Sequence, residues 1–172
     1  MQIQKPLAAD YPDFFATYIN QVLENDLQEA FKNQFQIIIS FLQSVTDQKA
    51  NHAYAPGKWT LKELLQHTID AERVFQYRAL CIARGETASL PSFDENLYAQ
   101  NSQANLRSWK NLSEEFITVR KSTEDLFNNF TRQMLKQKGI TSGRSITVAS
   151  LGFIAVGHVT HHIKVAQQKY LS

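Results

Sequence analysis

Three of the five histidines in this chain fall in one short stretch near its end, His158-Val-Thr-His161-His162. On a helix, residues four apart face the same way with Cβ atoms about 5–6 Å apart, so two imidazoles at that spacing can share one ion. Spacing alone leaves both the 158/162 and the 158/161 pair open. The apolar phase of the segment decides between them: at about 100° per residue, Leu151, Ala155, His162 and Val165 all lie within roughly 60° of His158, whereas His161 turns toward Thr160, Lys164 and Gln168. His158 and His162 are therefore expected to point inward, with His161 at the rim. Lys169 also falls on the inward phase, and its stem is expected to snorkel from the last turn.

A third histidine comes from an earlier segment. Leu64, Ala71, Val74 and Ile82 lie within about 60° of His67, so His67 faces the core. A buried imidazole without a partner carries an unsatisfied nitrogen, and a cluster of His67 with His158 and His162 around one divalent ion supplies that partner. The ordinary alternative for any one of them is a hydrogen-bonded core histidine. Neutral imidazoles suit Zn, Ni, Fe or Cu rather than Mg or Ca, and three nitrogen ligands leave positions for water or substrate. Cys81 lies about 21 Å along the helix from His67 and cannot complete the set, so it reads as a small core residue. The HExxH pattern of zinc proteases is absent, because Val159 follows His158. His52 sits in a polar break and reads as a surface residue.

Four amphipathic helices must position these groups. Pro12 fits the first turn of a short opening helix. Asp26 with Glu29 reads as a cap, followed by Leu27, Phe31, Gln34, Phe35, Ile38, Leu42 and Val45 at helical spacing up to about Thr46. Residues 47–58, with Ala55-Pro-Gly57, break the chain. Thr60-Leu-Lys-Glu63 is a capping box that starts a second long helix, which Gly85 ends after about Arg84. Residues 86–105 read as a long crossover loop, a length that in compact domains is often functional, so it is expected to form one wall of a site. Ser108 caps a third helix bearing Trp109, Leu112, Phe116, Val119, Leu126, Phe127 and Phe130. After a linker over 137–144, Thr147 caps a fourth that reaches Tyr170. With no convincing strand, the expectation is an all-α, antiparallel four-helix bundle in a single domain over residues 1–172. It would have a short N-terminal helix and a long crossover connection between the second and third long helices.

Composition narrows the function classes. Hydrophobic residues make up 43% and charged residues 20% of the 172, too apolar for a disordered chain. Eighteen Lys and Arg against 16 Asp and Glu give a net charge of +2 without a basic block, so no nucleic-acid partner is expected. There is neither a signal-peptide pattern nor a run of about 18 apolar residues, which predicts a cytoplasmic protein without a membrane partner.

Several stretches together resemble the DinB superfamily, including its YfiT-like branch. They are Tyr54-Ala-Pro-Gly-Lys-Trp-Thr-Leu-Lys-Glu63, Leu65-Gln-His-Thr-Ile-Asp-Ala-Glu-Arg73, Tyr77-Arg-Ala-Leu80, Ala83-Arg-Gly85, Leu90-Pro-Ser-Phe-Asp94 and Leu151-Gly-Phe-Ile-Ala-Val-Gly-His-Val-Thr-His-His162. The resemblance implies a four-helix bundle with a crossover and a nickel or zinc site built from one histidine of the second helix and an HxxxH pair of the last. Here these would be His67, His158 and His162. Some relatives are similar to S-transferases using bacillithiol or mycothiol, and others to hydrolases. The resulting expectation is a metal-dependent enzyme that activates a low-molecular-weight thiol, such as bacillithiol, or water, acting on a small-molecule substrate. The competing expectation is a non-catalytic metal-binding, stress-associated or scaffold protein acting as a homodimer. Asp70, one turn beyond His67, is a candidate to orient a histidine or act as a base, against the ordinary reading of a surface carboxylate. Arg78 lies on the His67 phase about 16 Å along the helix. It could bind an acidic substrate, although pairing with an acidic residue is its more ordinary role. Trp59, Phe93 and Tyr98 are candidate pocket walls.

Overall fold

The computed structural model describes residues 2–171. Asp26 accepts from the Glu29 amide and opens helix α2, Leu27–Ser44. Thr60 and Glu63 form the reciprocal capping box at the head of α4, Leu61–Ala83, and Gly85 takes the left-handed conformation just past its end. Ser108 caps α6, Trp109–Asn128, and Thr147 caps α8, Val148–Lys169. Each cap supplies an acceptor to an amide that the helix itself cannot satisfy, which is why four side chains mark four boundaries so closely. Shorter helices fill the connections: α1 (Ala16–Ile19), α3 (Asp47–Ala50), α5 (Glu95–Asn101) and α7 (Arg132–Lys136). Pro12 is not inside a first turn. It precedes a 3-10 turn, Asp13–Phe15, that runs into α1.

The long helices form the expected bundle. Helix α4 packs on α6 and α8, and α2 packs on the same two, so α2 and α4 face each other across the bundle. The connection over residues 84–108 is long, as expected, but it is not a bare loop: α5, capped by Asp94, and a 3-10 turn, Ala104–Leu106, lie against α4. A second correction concerns residues 137–144. Strands β1 (Lys138–Thr141) and β2 (Arg144–Thr147) form an antiparallel hairpin closed by Ser142-Gly143, with φ of +51° and +74°. A two-residue turn with both central residues at positive φ matches the twist of the strands it joins. Leu90 bonds to this hairpin on both sides, its amide donating to Ile140 and its carbonyl accepting from Ser142.

Two apolar clusters fill the interior. One gathers Leu27, Phe31, Phe75, Phe127, Leu151 and Phe153; the other gathers Ile38, Leu61, Leu65, Trp109, Phe116 and Ile163. Polar side chains are buried alongside them. Arg120 donates to Glu72 at 2.9 Å, Thr123 donates to the other Glu72 oxygen at 2.6 Å, and Gln34 donates to the Val156 carbonyl and to Thr160. Burial pushes the Glu72 carboxyl up, opposed by Arg120. The short helix α1 rests on α8 where Gly157 leaves room: a Cβ there would stand 2.2 Å from the Tyr18 carbonyl oxygen. Among the described residues no helix is long and apolar enough to cross a membrane.

Candidate metal centre

The capping box fixes where α4 begins, and seven residues later its inner face carries His67. The Thr147 cap likewise fixes α8 and with it the phase of His158 and His162. Because α4 and α8 pack directly on each other, the three rings meet. His67 Nε2 lies 3.1 Å from His158 Nε2, and His162 Nε2 lies 3.0 Å from the same atom. Among the described residues these three form the cluster whose donor atoms, all within 4.8 Å of one another, are arranged to hold an ion. His67 and His158 are buried and His162 partly so.

Two nitrogens within 3.1 Å of the His158 Nε2 suit a shared ion between them. Neutral imidazole has one N–H, so a ring of Nε2 atoms cannot satisfy all its lone pairs with its own protons. Bonds of about 2.0–2.1 Å from imidazole nitrogens to a tetrahedral ion place the nitrogens a little over 3 Å apart, close to the two separations that His158 makes. The charge state agrees. Burial lowers His67 to about 4, against a smaller opposing effect of the Glu95 carboxylate. Burial, and then the neighbouring histidines, hold His158 and His162 well below the usual imidazole value. All three are therefore neutral at pH 7, the form that ligates a metal. Nδ1 of His67 and Nδ1 of His162 are sealed from solvent without a hydrogen-bond partner among the described residues. Ring orientation is set by packing instead: Trp59 lies 4.8 Å from His67, and Tyr18 and Phe75 lie edge-on to His158 at 5.2 and 5.7 Å.

The cluster opens on a cavity of about 400 Å³ lined by all three histidines, Tyr18, Trp59, Phe75, Phe93, Glu95 and Arg78, with the hairpin turn at Thr141 and Ser142. The connection after α4 thus does wall the site, through Ser92, Phe93 and Glu95. Trp59 and Phe93 are where the sequence places them. Tyr98 instead packs behind Phe93 at 5.2 Å. His161 stays at the rim, half-buried against Tyr18, with Nδ1 3.4 Å from Gln21 Nε2. His52 and Lys169 are exposed, and Cys81 is half-buried.

Two candidates are corrected. Asp70 is not brought to the histidines; its carboxylate accepts from Gln66 at 2.9 Å and lies 3.9 Å from Arg73, in a polar network continued by Arg107 of the connection and Glu115 of α6. Arg78 pairs with no acidic residue among the described ones. It donates to the Pro91 carbonyl at 2.7 Å and faces the cavity. Two cavity residues carry no signal in the sequence: Tyr18, on a four-residue helix, and Glu95, in a segment without periodicity. Burial, and then Glu95, raise the Tyr18 hydroxyl above its ordinary value.

Comparison with known proteins follows the same lines. The family model described as DinB superfamily matches residues 30–166. A protein of Oceanobacillus iheyensis that carries the name "Putative metal-dependent hydrolase" is 23% identical over 133 residues, covering 73% of this chain and 74% of its own. The solved structure of YfiT from Bacillus subtilis, described as "a probable metal-dependent hydrolase with an unusual four-helix bundle topology", superposes with a TM-score of 0.70. It covers 95% of this chain and 92% of the other at 17% identity, a likeness of fold.

Proposed function

This chain belongs to the DinB superfamily, and from that footing we propose that it is a metal-dependent enzyme whose ion is held by His67, His158 and His162. One observation carries the reading: the Nε2 atoms of His67 and His162 both approach that of His158, at 3.1 and 3.0 Å, and the three neutral rings line an aromatic cavity. The hydrolase names of its relatives support it. Imidazole ligands favour zinc or nickel. Bound there, such an ion supplies Lewis acidity that lowers the pKa of a coordinated water or thiol and leaves positions open for substrate.

The chain's own residues do the rest. Trp59, Phe75 and Phe93 exclude water and hold the apolar body of a small substrate. Glu95 stands close enough to His67 and Tyr18 for its charge to act on both, which places it to accept the proton that an activated water or thiol gives up. Tyr18, kept protonated by burial and by Glu95, lines the same cavity as a hydrogen-bond donor for substrate. A low-molecular-weight thiol such as bacillithiol is the nucleophile proposed for S-transfer, and water for hydrolysis.

The test separates the metal from the chemistry. Protein produced without nickel-affinity purification is expected to hold about one equivalent of zinc or nickel, with His67→Ala and His162→Ala losing most of it. Equal metal in all three would sink the site. Loaded protein is then assayed for conjugation of bacillithiol to electrophiles and for cleavage of an ester and amide panel, with Glu95→Gln slower wherever turnover is found. Full metal occupancy without turnover on either panel would leave the non-catalytic metal-binding reading in place.

A further inference from the structure

The far end of the histidine cavity holds a charge that the metal chemistry does not use. Arg78 is 5% exposed, yet among the described residues it forms no ion pair. A guanidinium carries five N–H donors, and the hydrogen bond of Nη2 to the Pro91 carbonyl uses one. Arg120, the other deeply buried arginine, shows the contrast. It is matched by Glu72 and packed over Phe31, and its leftover nitrogens Nε and Nη1 are sealed in protein. No Arg78 nitrogen is sealed without a partner, so its spare donors open onto the cavity.

A cation taken out of water without a counter-charge is costly, and the low-cost way to keep one is to give it an anion that comes and goes. Burial alone lowers the Arg78 pKa; no carboxylate acts on it. Glu95 lines the same cavity without pairing with Arg78, and its charge acts on His67 and Tyr18. Thr141 and Ser142 of the hairpin turn and Ser92 of the connection add polar groups around the cavity, and Phe75 and Phe93 line it.

We propose that Arg78 is the anchor of a carboxylate-binding subsite, and that the cavity takes a two-ended small molecule whose anionic end sits on Arg78 while its other end reaches the three histidines. The planar guanidinium fork matches a carboxylate with two parallel hydrogen bonds. His67 and Arg78 are eleven residues apart on α4, about 16 Å along the helix axis. Both side chains lean toward the N-terminus, and the longer arginine reaches further back than the imidazole, which leaves guanidinium and imidazole on the order of 12 Å apart. A substrate with an aryl or alkyl middle and a terminal carboxylate spans that distance, and a short acid such as acetate does not. The inference rests on the cavity being the substrate site of the metal centre.

The experiment compares 4-phenylbutyrate with 4-phenylbutyramide by calorimetry on metal-loaded protein. The acid is expected to bind wild type about tenfold or more tightly than the amide, the range of a charge-assisted hydrogen-bond pair. Arg78→Gln is expected to bring the two to equal affinity, and Arg78→Lys to keep part of the preference. Metal content should be unchanged in both variants. His158→Ala, stripped of metal, is expected to keep the preference for the acid, because the carboxylate does not sit on the ion. No preference in wild type, or a preference that survives Arg78→Gln and vanishes in His158→Ala, overturns the subsite. Retention of metal by His158→Ala instead overturns the reading of the centre and leaves the Arg78 comparison standing.

Discussion

The three histidines are neutral because they are buried, and this gives the metal-free protein a defined response to acid. Unfolded, each imidazole titrates near 6.5. Folded, His67 titrates at about 4, and burial together with the neighbouring histidines holds His158 and His162 well below the ordinary imidazole value. Above about pH 6.5 both states are neutral, so the difference contributes nothing. Below it the unfolded chain takes up protons that the folded chain refuses, and stability falls with pH. Each histidine contributes a slope of about 1.4 kcal/mol per pH unit, and His67 alone accounts for about 3 kcal/mol by pH 4. Three together approach about 4 kcal/mol per pH unit in the middle of the window. Glu72 and Asp70, raised by burial, act with the opposite sign, so the comparison is made against a variant. Urea unfolding of chelator-treated wild type and His67→Gln between pH 7 and 4.5 should give stability curves whose slopes differ by about 1.4 kcal/mol per pH unit below pH 6. Zinc-loaded protein should run parallel to the metal-free curve over this window and lie above it, because the folded histidines already carry no proton to release to the ion. Parallel curves for wild type and variant would refute the premise that His67 is held neutral by its surroundings.

Other substitutions report on the scaffold. Gly157→Ala drives a methyl group to 2.2 Å from the Tyr18 carbonyl, and backbone cannot swing aside as a side chain can. It should cost about 1–3 kcal/mol, lower Tm by roughly 2–4 °C for each, and speed amide exchange in residues 16–19. Glu72→Ala strands Arg120 in the interior and should cost about 3–5 kcal/mol in denaturant unfolding, with Glu72→Gln costing less because it keeps partners for Arg120 and Thr123. Thr60→Ala removes the acceptor for the Glu63 amide and should cost about 1 kcal/mol in the same assay.

Much of this architecture is written in short-range signals. Thr60, Gly85, Ser108 and Thr147 mark helix ends because an unsatisfied amide or a left-handed residue is a local demand, visible without a fold. The phase of α8 separates His162 from His161 for the same reason. Phase measures rotation and nothing else, however. Asp70 and Arg78 both lie near the His67 direction, yet one joins Gln66 and Arg73, which reaches Glu115 of α6, and the other lines the cavity, which depends on which neighbour covers that stretch of α4. The hairpin was hidden because its strands are four residues long and its turn reads Ser-Gly rather than Asn-Gly. Glu95 and Tyr18 owe their places to packing between segments distant in sequence, which no local pattern encodes.

The His67–His158 contact joins residues 91 apart, from the second long helix to the last. An unfolded chain can offer an ion the HxxxH pair alone, since the third proposed ligand arrives only when α4 and α8 have docked. The proposed centre would therefore be a late latch. Metal uptake should follow the slowest, most non-local step of folding, and ion bound at three positions should retard unfolding more than it hastens folding. Once closed, it ties a loop of about ninety residues as a cross-link would, but one that acid or a chelator can untie.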